Sequence, residues 1–184
     1  PENIKPYPNI KKHLDRFKKI ITSDNKPYGL HRAREERFFL GEKIIVQRKC
    51  PDRPVFTYTD FDSYVSATFY VIKPFSLNQK YLTALLNSRL IAFWLRNKGS
   101  MQGNNFQLDK APLLNIPLFV PNDVTKFTIL VDYLLYLNNP NNEQILSHTD
   151  NKRIANHIEE ILNSMVNELY FEKHMKDNEL DVLE

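Results

Sequence analysis

The stretch from Lys26 to Lys49, KPYGLHRAREERFFLGEKIIVQRK, decides the fold of the front of this chain. Its first half concentrates positive charge around a histidine, between two glycines: Gly29, His31, Arg32, Arg34, Arg37 and Gly41. Its second half alternates and is rich in β-branched residues, which predicts a strand over residues 42–49. The other two glycines of the chain, Gly99 and Gly103, lie in a polar loop. Both glycine-containing segments are therefore expected to need unusual backbone geometry or close approach to a partner.

The composition is that of a globular protein. With 184 residues, 42% of them hydrophobic, the chain is long enough for one domain, or one domain with a small appendage. No run reaches the roughly 18 apolar residues that cross a bilayer, and no signal peptide is visible. Cys50 is the only cysteine, so no internal disulfide forms and a reducing cytosol is expected. The chain begins at Pro1 without a methionine, which predicts a fragment of a longer protein.

The charge is divided along the chain. Residues 1–120 hold 20 Lys+Arg and 10 Asp+Glu, whereas residues 121–184 hold 5 Lys+Arg and 12 Asp+Glu. The net charges are therefore +10 and −7, consistent with the total of +3. The basic portion suits a polyanion, which would repel the acidic portion. Independent drift of two surface compositions is the alternative.

The hydrophobic spacing predicts an α+β fold: a small mixed or antiparallel sheet with flanking helices, followed by a C-terminal antiparallel helical pair. The predicted helices cover residues 9–21, 80–98, 122–139 and 150–174, the strands 42–49, 53–59 and 63–73, and an extended segment 113–121. Ser76 and Gln79 form a candidate capping box for the second helix. The predicted organisation is an α+β domain over 1–121 with a helical region, 122–184, packed on it.

Catalytic motifs are not found. The five histidines lack metal-ligand spacing, and no glycine-rich phosphate-binding loop is present. Cys50 has no nucleophile signature, and Asp60 and Asp62 are typical of a turn. The sequence therefore predicts no catalysis, no cofactor and no metal in this chain.

Binding is the better supported function. Arginine reads guanine and grips phosphate, whereas Asn and Gln read adenine edges, and residues 98–107 are rich in these amides. The predicted DNA-binding residues are His31, Arg32, Arg34, Arg37, Arg48, Lys49, Lys98, Ser100, Gln102, Asn104, Asn105 and Gln107. The alternative for Arg34 and Arg37 is a structural salt-bridge network with Glu35, Glu36 or the acidic helices.

Several motifs occur in a characteristic order. They are Arg37, Lys43-Ile44-Ile45, Tyr81-Leu82, Leu86-Asn87-Ser88 and Ile116-Pro117-Leu118. Over residues 9–172 the chain resembles the TaqI-like C-terminal specificity domain of adenine-specific DNA methyltransferases in restriction–modification systems. The pattern Val166, Glu168, Leu169 and Tyr170 is similar to the closing helix of fused type IIG enzymes, although Phe171 replaces the usual glycine.

The resemblance implies recognition of double-stranded DNA for N6-adenine methylation in a bacterial or archaeal cytoplasm. The chemistry would belong to a catalytic domain of the same polypeptide that uses S-adenosylmethionine, whose motifs are not in this sequence. Arg32, Arg34 and the loop 98–107 would face the major groove while the target adenine leaves the duplex. Asn87 and Ser88 would bond backbone rather than bases, and whether the parent also cuts DNA is open.

Three other classes of function remain. A protein-interaction module would use the helices and keep the arginines for structure. One half of a type I-like specificity subunit would resemble this chain, but such subunits join two halves. An isolated hydrolase ranks last, because no general base has an evident partner.

Overall fold

The computed structural model describes residues 4–20, 34–102, 105–142, 148–180 and 182–183. The chain forms two compact units, Pro1–Phe38 and Phe39–Glu184. Small antiparallel sheets with flanking helices and a long C-terminal helix confirm the predicted α+β class. The boundary predicted near residue 121 stays a prediction.

The first unit contains one α-helix and one 3-10 turn in its described part. Helix α1 spans Pro8–Asp15, so the helix predicted over 9–21 is shorter than expected. Its first turn accommodates a proline because the N–H groups there have no helical partner. Lys11 pairs with Asp15 at 2.7 Å along one face of the helix. The 3-10 turn covers Glu36–Phe38.

The first sheet of the second unit has the strand order β3-β1-β4, and both pairings are antiparallel. Strand β1 spans Lys43–Gln47, β3 Phe56–Thr59 and β4 Phe69–Ile72. Ile44 and Val46 are buried on the same face of β1, because side chains two residues apart point the same way. The strand predicted from the alternation of this segment is confirmed.

Strand β4 is shorter than the strand predicted over 63–73. The hydroxyl groups of Ser66 and Thr68 lie 2.6 Å apart, and the Phe69 N–H bonds the Ser66 carbonyl at 3.2 Å. Such local bonds close a turn and compete with strand pairing. The prediction was therefore wrong for the first half of the segment.

Lys43 begins β1 as a fully buried cation. Its Nζ donates to the carbonyl oxygens of Gly41, at 2.8 Å, and Phe61, at 2.5 Å. The Gly41 N–H donates to Asp62 Oδ1 at 2.6 Å, and its φ of +58° lies in the left-handed region that favours glycine. Burial lowers the pKa of Lys43, and Asp62 opposes this shift. These hydrogen bonds hold the start of β1 against the turn after β3.

The single helix predicted over 80–98 is two helices, α2 (Gln79–Asn87) and α3 (Arg89–Lys98). Ser88 between them is extended, with φ −64° and ψ 152°. Its Oγ accepts the Ile91 N–H at 3.2 Å and so caps α3. The apolar spacing continues across the break, which is why periodicity alone predicts one helix.

The predicted cap of α2 was also wrong. Asn78, not Ser76, precedes the helix, and its Oδ1 accepts the Tyr81 N–H at 2.9 Å. The helix therefore begins at Gln79 and not two residues earlier. The side chain of Gln79 does not return a bond to the cap, because its Oε1 has no hydrogen-bond partner among the described residues, and its Nε2 donates to the Glu42 carbonyl at 3.2 Å.

Helix α2 is the centre of the core. All residues from Tyr81 to Leu86 are buried. The helix packs against β3 and against α5, which spans Thr125–Leu137. The Asn87 side chain bonds the N–H and the C=O of Phe56 at 3.0 and 2.7 Å, in the manner of a neighbouring strand. The prediction that Asn87 and Ser88 bond backbone is confirmed.

A second small sheet has the order β2-β6-β5. Strand β2 spans Lys49–Cys50, β5 Ser100–Gln102 and β6 Asn105–Gln107. A hairpin therefore occupies most of the segment predicted as a polar loop. A short helix, α4, follows at Lys110–Leu114.

Two tyrosine hydroxyl groups hold the segment after α4. Tyr170 OH donates to the Pro117 carbonyl at 2.5 Å and accepts the Phe119 N–H at 3.1 Å. Tyr81 OH donates to the Phe119 carbonyl at 2.6 Å. These bonds satisfy main-chain groups of a segment that belongs to no strand or helix.

The C-terminal region is helical, as predicted. Helix α5 packs against α2 and against α6, which spans His148–Asp177 and is kinked at Phe171. The buried Glu168 accepts the N–H groups of Val182 and Leu183 at 2.6 and 2.8 Å. The end of the chain is thereby held against α6.

Across the described ranges, no helix is long and apolar enough to cross a membrane.

Candidate nucleic-acid interface

The second sheet brings together polar residues from two distant segments. Lys49 of β2 pairs with Gln107 of β6, which in turn pairs with Ser100 of β5. Directly opposed residues of antiparallel strands share a face, so these three side chains form one row across the sheet. Gln102 and Asn105 pair two residues further along, beyond the pair of Met101 and Phe106. We call the row Lys49, Gln107 and Ser100, with Asn105, the polar row.

The two faces of this sheet differ sharply in polarity. Phe106, 2% exposed, and Cys50, which pairs with it, point into the core. Because side chains alternate along a strand, Asn105 and Gln107 point the other way. Lys49, Ser100 and Asn105 are exposed. One face therefore anchors the sheet, and the other presents donors and acceptors.

Gly99 allows the sheet to lie close to α3. A Cβ at this position would lie 2.6 Å from the Leu95 carbonyl oxygen and 3.0 Å from the Phe106 ring. The first distance is shorter than real Cβ contacts and the second is tighter than most of them, so glycine is required here for space. The glycine predicted to mark a close approach does so within the chain's own core.

Gln107 is the most ordered member of the polar row. It is half-buried, and its Nε2 donates to Asp109 Oδ1 at 2.9 Å. The carboxylate accepts only, so it fixes which end of the amide is the donor. Oε1 is buried without a hydrogen-bond partner among the described residues. The amide is thus held in one orientation, with its acceptor oxygen enclosed by the fold.

Arg48 lies at the junction of the two sheets. Its N–H bonds the Thr68 carbonyl at 2.9 Å, and its carbonyl accepts the Leu108 N–H at 2.8 Å. Its guanidinium carbon lies 4.9 Å from the centroid of the Tyr70 ring, a distance typical of cation–π contact. These contacts hold the half-buried side chain of Arg48 in position. Arg48 directly precedes Lys49 of the polar row in the sequence.

Lys98 ends α3 two residues before Ser100 and is exposed. A cation is favourable at this helix end, where the carbonyl dipoles leave partial negative charge. The lysine and the polar row thus lie on adjoining residues of the chain.

The predicted arginines of the opening stretch lie in the first unit. Arg37 Nε pairs with Glu35 Oε2 at 2.6 Å, and its guanidinium lies 5.0 Å from the Phe38 ring. The two charged side chains are 71% and 64% exposed, so water screens the pair. Arg34 is exposed. The salt-bridge alternative therefore describes Arg37, and DNA contact by either arginine stays a prediction.

Three predicted residues, His31, Arg32 and Asn104, lie outside the described residues, as does the side chain of Gln102. The second sheet brings together four of the predicted residues, Asn105, Gln107, Ser100 and Lys49. Arg48 and Lys98 adjoin them in sequence. Pairing of β2 with β6 is what joins them.

Sequence reasoning missed a second group of cations. Arg53, Arg89 and Arg96 line a cavity of about 240 Å³ beside α3. The sequence pattern could have predicted this group, because Arg89 and Arg96 are seven residues apart on a helix and therefore share a face. It was obscured by assigning the whole helix to the core.

Neither a metal nor a nucleophile site appears in the described part of the chain. No group of three or more His, Cys, Asp or Glu residues there could hold a metal ion. Burial raises the pKa of Cys50, which keeps its thiol protonated.

The geometry defines a small α+β domain with a polar, amide-bearing face on one sheet. A profile of the TaqI-like C-terminal specificity domain matches residues 2–118, and the chain belongs to this family. Such domains serve target recognition in restriction–modification DNA methyltransferases. The resemblance inferred from the motifs is confirmed. No curated protein matches the chain.

Proposed function

We propose that this chain recognises double-stranded DNA as the target-recognition part of an N6-adenine DNA methyltransferase in a type IIG-like restriction–modification system. Family membership over residues 2–118 supports the target-recognition role. The single observation that carries DNA binding is the polar row on the second sheet. Its members combine a cation, a hydroxyl and amides on one exposed face.

Each member of the row has a chemical role in the proposal. The exposed Asn105 offers the paired donor and acceptor that match the N6 and N7 positions of adenine, and Gln107 lies beside it in the row. Lys49 neutralises a phosphate, and Ser100 donates or accepts at a base or a phosphate. The Asp109 carboxylate holds the Gln107 amide in one orientation. A small exposed sheet can enter the major groove, which admits a two-stranded ribbon.

The remaining predicted residues belong to the same proposal: His31, Arg32, Arg34, Arg37, Arg48, Lys98, Gln102 and Asn104. Each would add its own contact to DNA. A catalytic domain of the same polypeptide would use S-adenosylmethionine to methylate an adenine taken out of the duplex. This chain would hold the rest of the site in register during that step.

The test is equilibrium binding of the chain to a randomised pool of duplexes, followed by titration of the selected duplex at several salt concentrations. Lys49→Ala is expected to lower the log–log salt slope by about one. Asn105→Ala is expected to cost about 1–3 kcal/mol on the selected site and to relax one position of it. Lys173→Ala, an exposed lysine of α6, is the matched control and should change neither.

The proposal is wrong if the chain, alone and joined to its catalytic domain, shows no salt-dependent affinity for any duplex. It is also weakened if Lys49→Ala and Lys173→Ala give the same salt slope, because charge position would then be irrelevant.

A protein-interaction role is the alternative, and one observation favours it. Ile129, Tyr133 and Tyr136 form an exposed apolar stripe on α5. Tyr133→Asp should then abolish assembly with the catalytic domain, measured by sedimentation, while Lys49→Ala leaves duplex affinity unchanged. The opposite pattern favours DNA recognition.

A further inference from the structure

A pocket of about 240 Å³ beside α3 concentrates arginines that the polar row does not use. We call it the arginine pocket and define it by Arg53, Arg89, Phe93 and Arg96. Phe106 also lines it. Because Phe106 points away from the side chains of Asn105 and Gln107, the pocket approaches the second sheet from its core-facing side.

The shape of the pocket follows from helix geometry. Arg89, Phe93 and Arg96 are spaced by four and three residues on α3, so they lie on one face of it. Phe93 is 67% exposed, an unusual state for a phenylalanine on a helix that packs into a core. Arg53 comes from the connection between β2 and β3 and closes the opposite side. The pocket therefore has cationic walls around an apolar ring.

Two of the three arginines have carboxylate partners, but these ion pairs are exposed. Arg53 Nη1 donates to the Asn87 carbonyl at 2.7 Å, and its Nη2 lies 4.0 Å from Glu159 Oε2. Arg89 pairs with Glu160, although both side chains are more than half exposed. Such exposed pairs contribute about 0–1 kcal/mol and are easily exchanged for a stronger partner.

Arg96 differs from Arg53 and Arg89 in its carboxylate partners. Among the residues that the structure describes, no carboxylate oxygen pairs with it within 4.0 Å. Asp52 is the one acidic residue that lines the pocket. Glu159 and Glu160 are the carboxylate partners of Arg53 and Arg89, so Arg96 is the guanidinium group through which the pocket can meet an anion.

We propose that the arginine pocket binds a phosphodiester group of a DNA backbone, as a sequence-independent contact separate from the polar row. Guanidinium groups match phosphate oxygens in paired hydrogen bonds. The exposed Phe93 ring offers an apolar surface for the adjoining deoxyribose. This inference rests on the proposed function in one respect, because its partner is the DNA duplex. The residues of the arginine pocket are separate from those of the polar row.

The experiment measures duplex affinity against salt concentration for the 184-residue chain and three variants. Arg96→Gln removes the charge, and Arg96→Lys keeps it without the paired geometry. Arg153→Gln changes an arginine of α6 that is 82% exposed and serves as the matched control. Both sites are exposed, and unchanged melting temperatures of the three variants would show intact folding.

Arg96→Gln is expected to lower the log–log salt slope by about one and to weaken the selected and unrelated duplexes by the same factor. Arg96→Lys should keep the slope, and Arg153→Gln should match the parent chain. A parallel titration with dimethyl phosphate, followed by amide chemical shifts, should perturb residues 93–96 in the parent chain and not in Arg96→Gln.

Salt slopes that are equal for Arg96→Gln and Arg153→Gln would overturn this inference while leaving the proposed function intact. A loss confined to the selected duplex would overturn it too, because that result makes Arg96 a base reader. If the parent chain binds no duplex, both proposals fall, and dimethyl phosphate binding alone would then assign the pocket to a free anion.

Discussion

The two sheets of the second unit use the same segment of sequence for opposite purposes. Lys43 and Lys49 are six residues apart, one at the start of β1 and the other at the start of β2. Lys43 is fully buried and donates to two carbonyl groups, whereas Lys49 is exposed beside Gln107. A lysine in a basic segment is therefore not a phosphate contact by default. Lys43 of the first sheet stabilises the fold, whereas Lys49 of the second sheet is exposed to a partner.

The largest expected effect distinguishes these two lysines. Lys43→Met should lower the free energy of unfolding by about 3 kcal/mol, because two carbonyl groups would lose a charged donor. Lys49→Met should change it by less than about 0.5 kcal/mol, as expected for an exposed position. Chemical denaturation measures both. Equal losses would show that burial does not separate the two roles.

A second comparison concerns the glycines that serve each sheet. Gly99→Ala should cost about 2 kcal/mol, because the added Cβ would overlap the Leu95 carbonyl and the Phe106 ring. Gly41→Ala should cost about 1 kcal/mol, because the left-handed backbone is strained but the space is open.

Thermal unfolding ranks the two glycine variants, and hydrogen exchange locates the damage. Gly99→Ala should speed exchange in β5 and β6 while β1 stays protected. Faster exchange in β1 and β3 alone would contradict the assignment of Gly99 to the second sheet.

The edge of the first sheet can be weakened without touching the second. Asn87→Ala should cost about 1.5 kcal/mol, because the N–H and C=O of Phe56 would lose their shared partner. Asn97→Ala, which removes only an exposed bond to the Phe93 carbonyl, is the control and should be nearly neutral. Amide exchange at Phe56 reports the change. An unchanged exchange rate in Asn87→Ala would mean that the carboxamide is not what closes this edge.

The smallest expected effect is on pH dependence. Burial lowers the pKa of Lys43 in the folded chain, below the value of about 10.4 for an exposed lysine. Between those two pKa values the unfolded chain binds more protons, so the contribution of Lys43 to the free energy of unfolding rises with pH. Subtracting the profile of Lys43→Met isolates it. A difference that falls with pH across this interval would reverse the sign of the shift.

Local patterns predicted the elements that local physics builds. Alternation marked β1, and helical spacing marked α5 and α6, because each pattern is complete within its own segment. The break at Ser88 was missed because the apolar stripe runs through it. The cap at Asn78 was missed because Ser76 offers the same chemistry two residues earlier.

The site was predictable in residue type and not in arrangement. Lys49, Asn105 and Gln107 were singled out as donors and acceptors, but their proximity depends on β2, a strand of two residues. Its partner lies more than fifty residues away, at Phe106 and Gln107. No periodicity encodes such a register, since it is set by Phe106 and Cys50 entering the core together. The arginine pocket depends on the same long-range pairing.

The hydroxyl of Tyr170 has a consequence for engineering new specificities. It ties α6 to Pro117, the penultimate residue of the range that the family profile covers. Grafting residues 2–118 from one relative onto another would sever that tie and strip α2 of its contact with α5. A graft should therefore carry α5 and α6 together with residues 2–118, and chimaeras with junctions between them should be judged first by whether they fold.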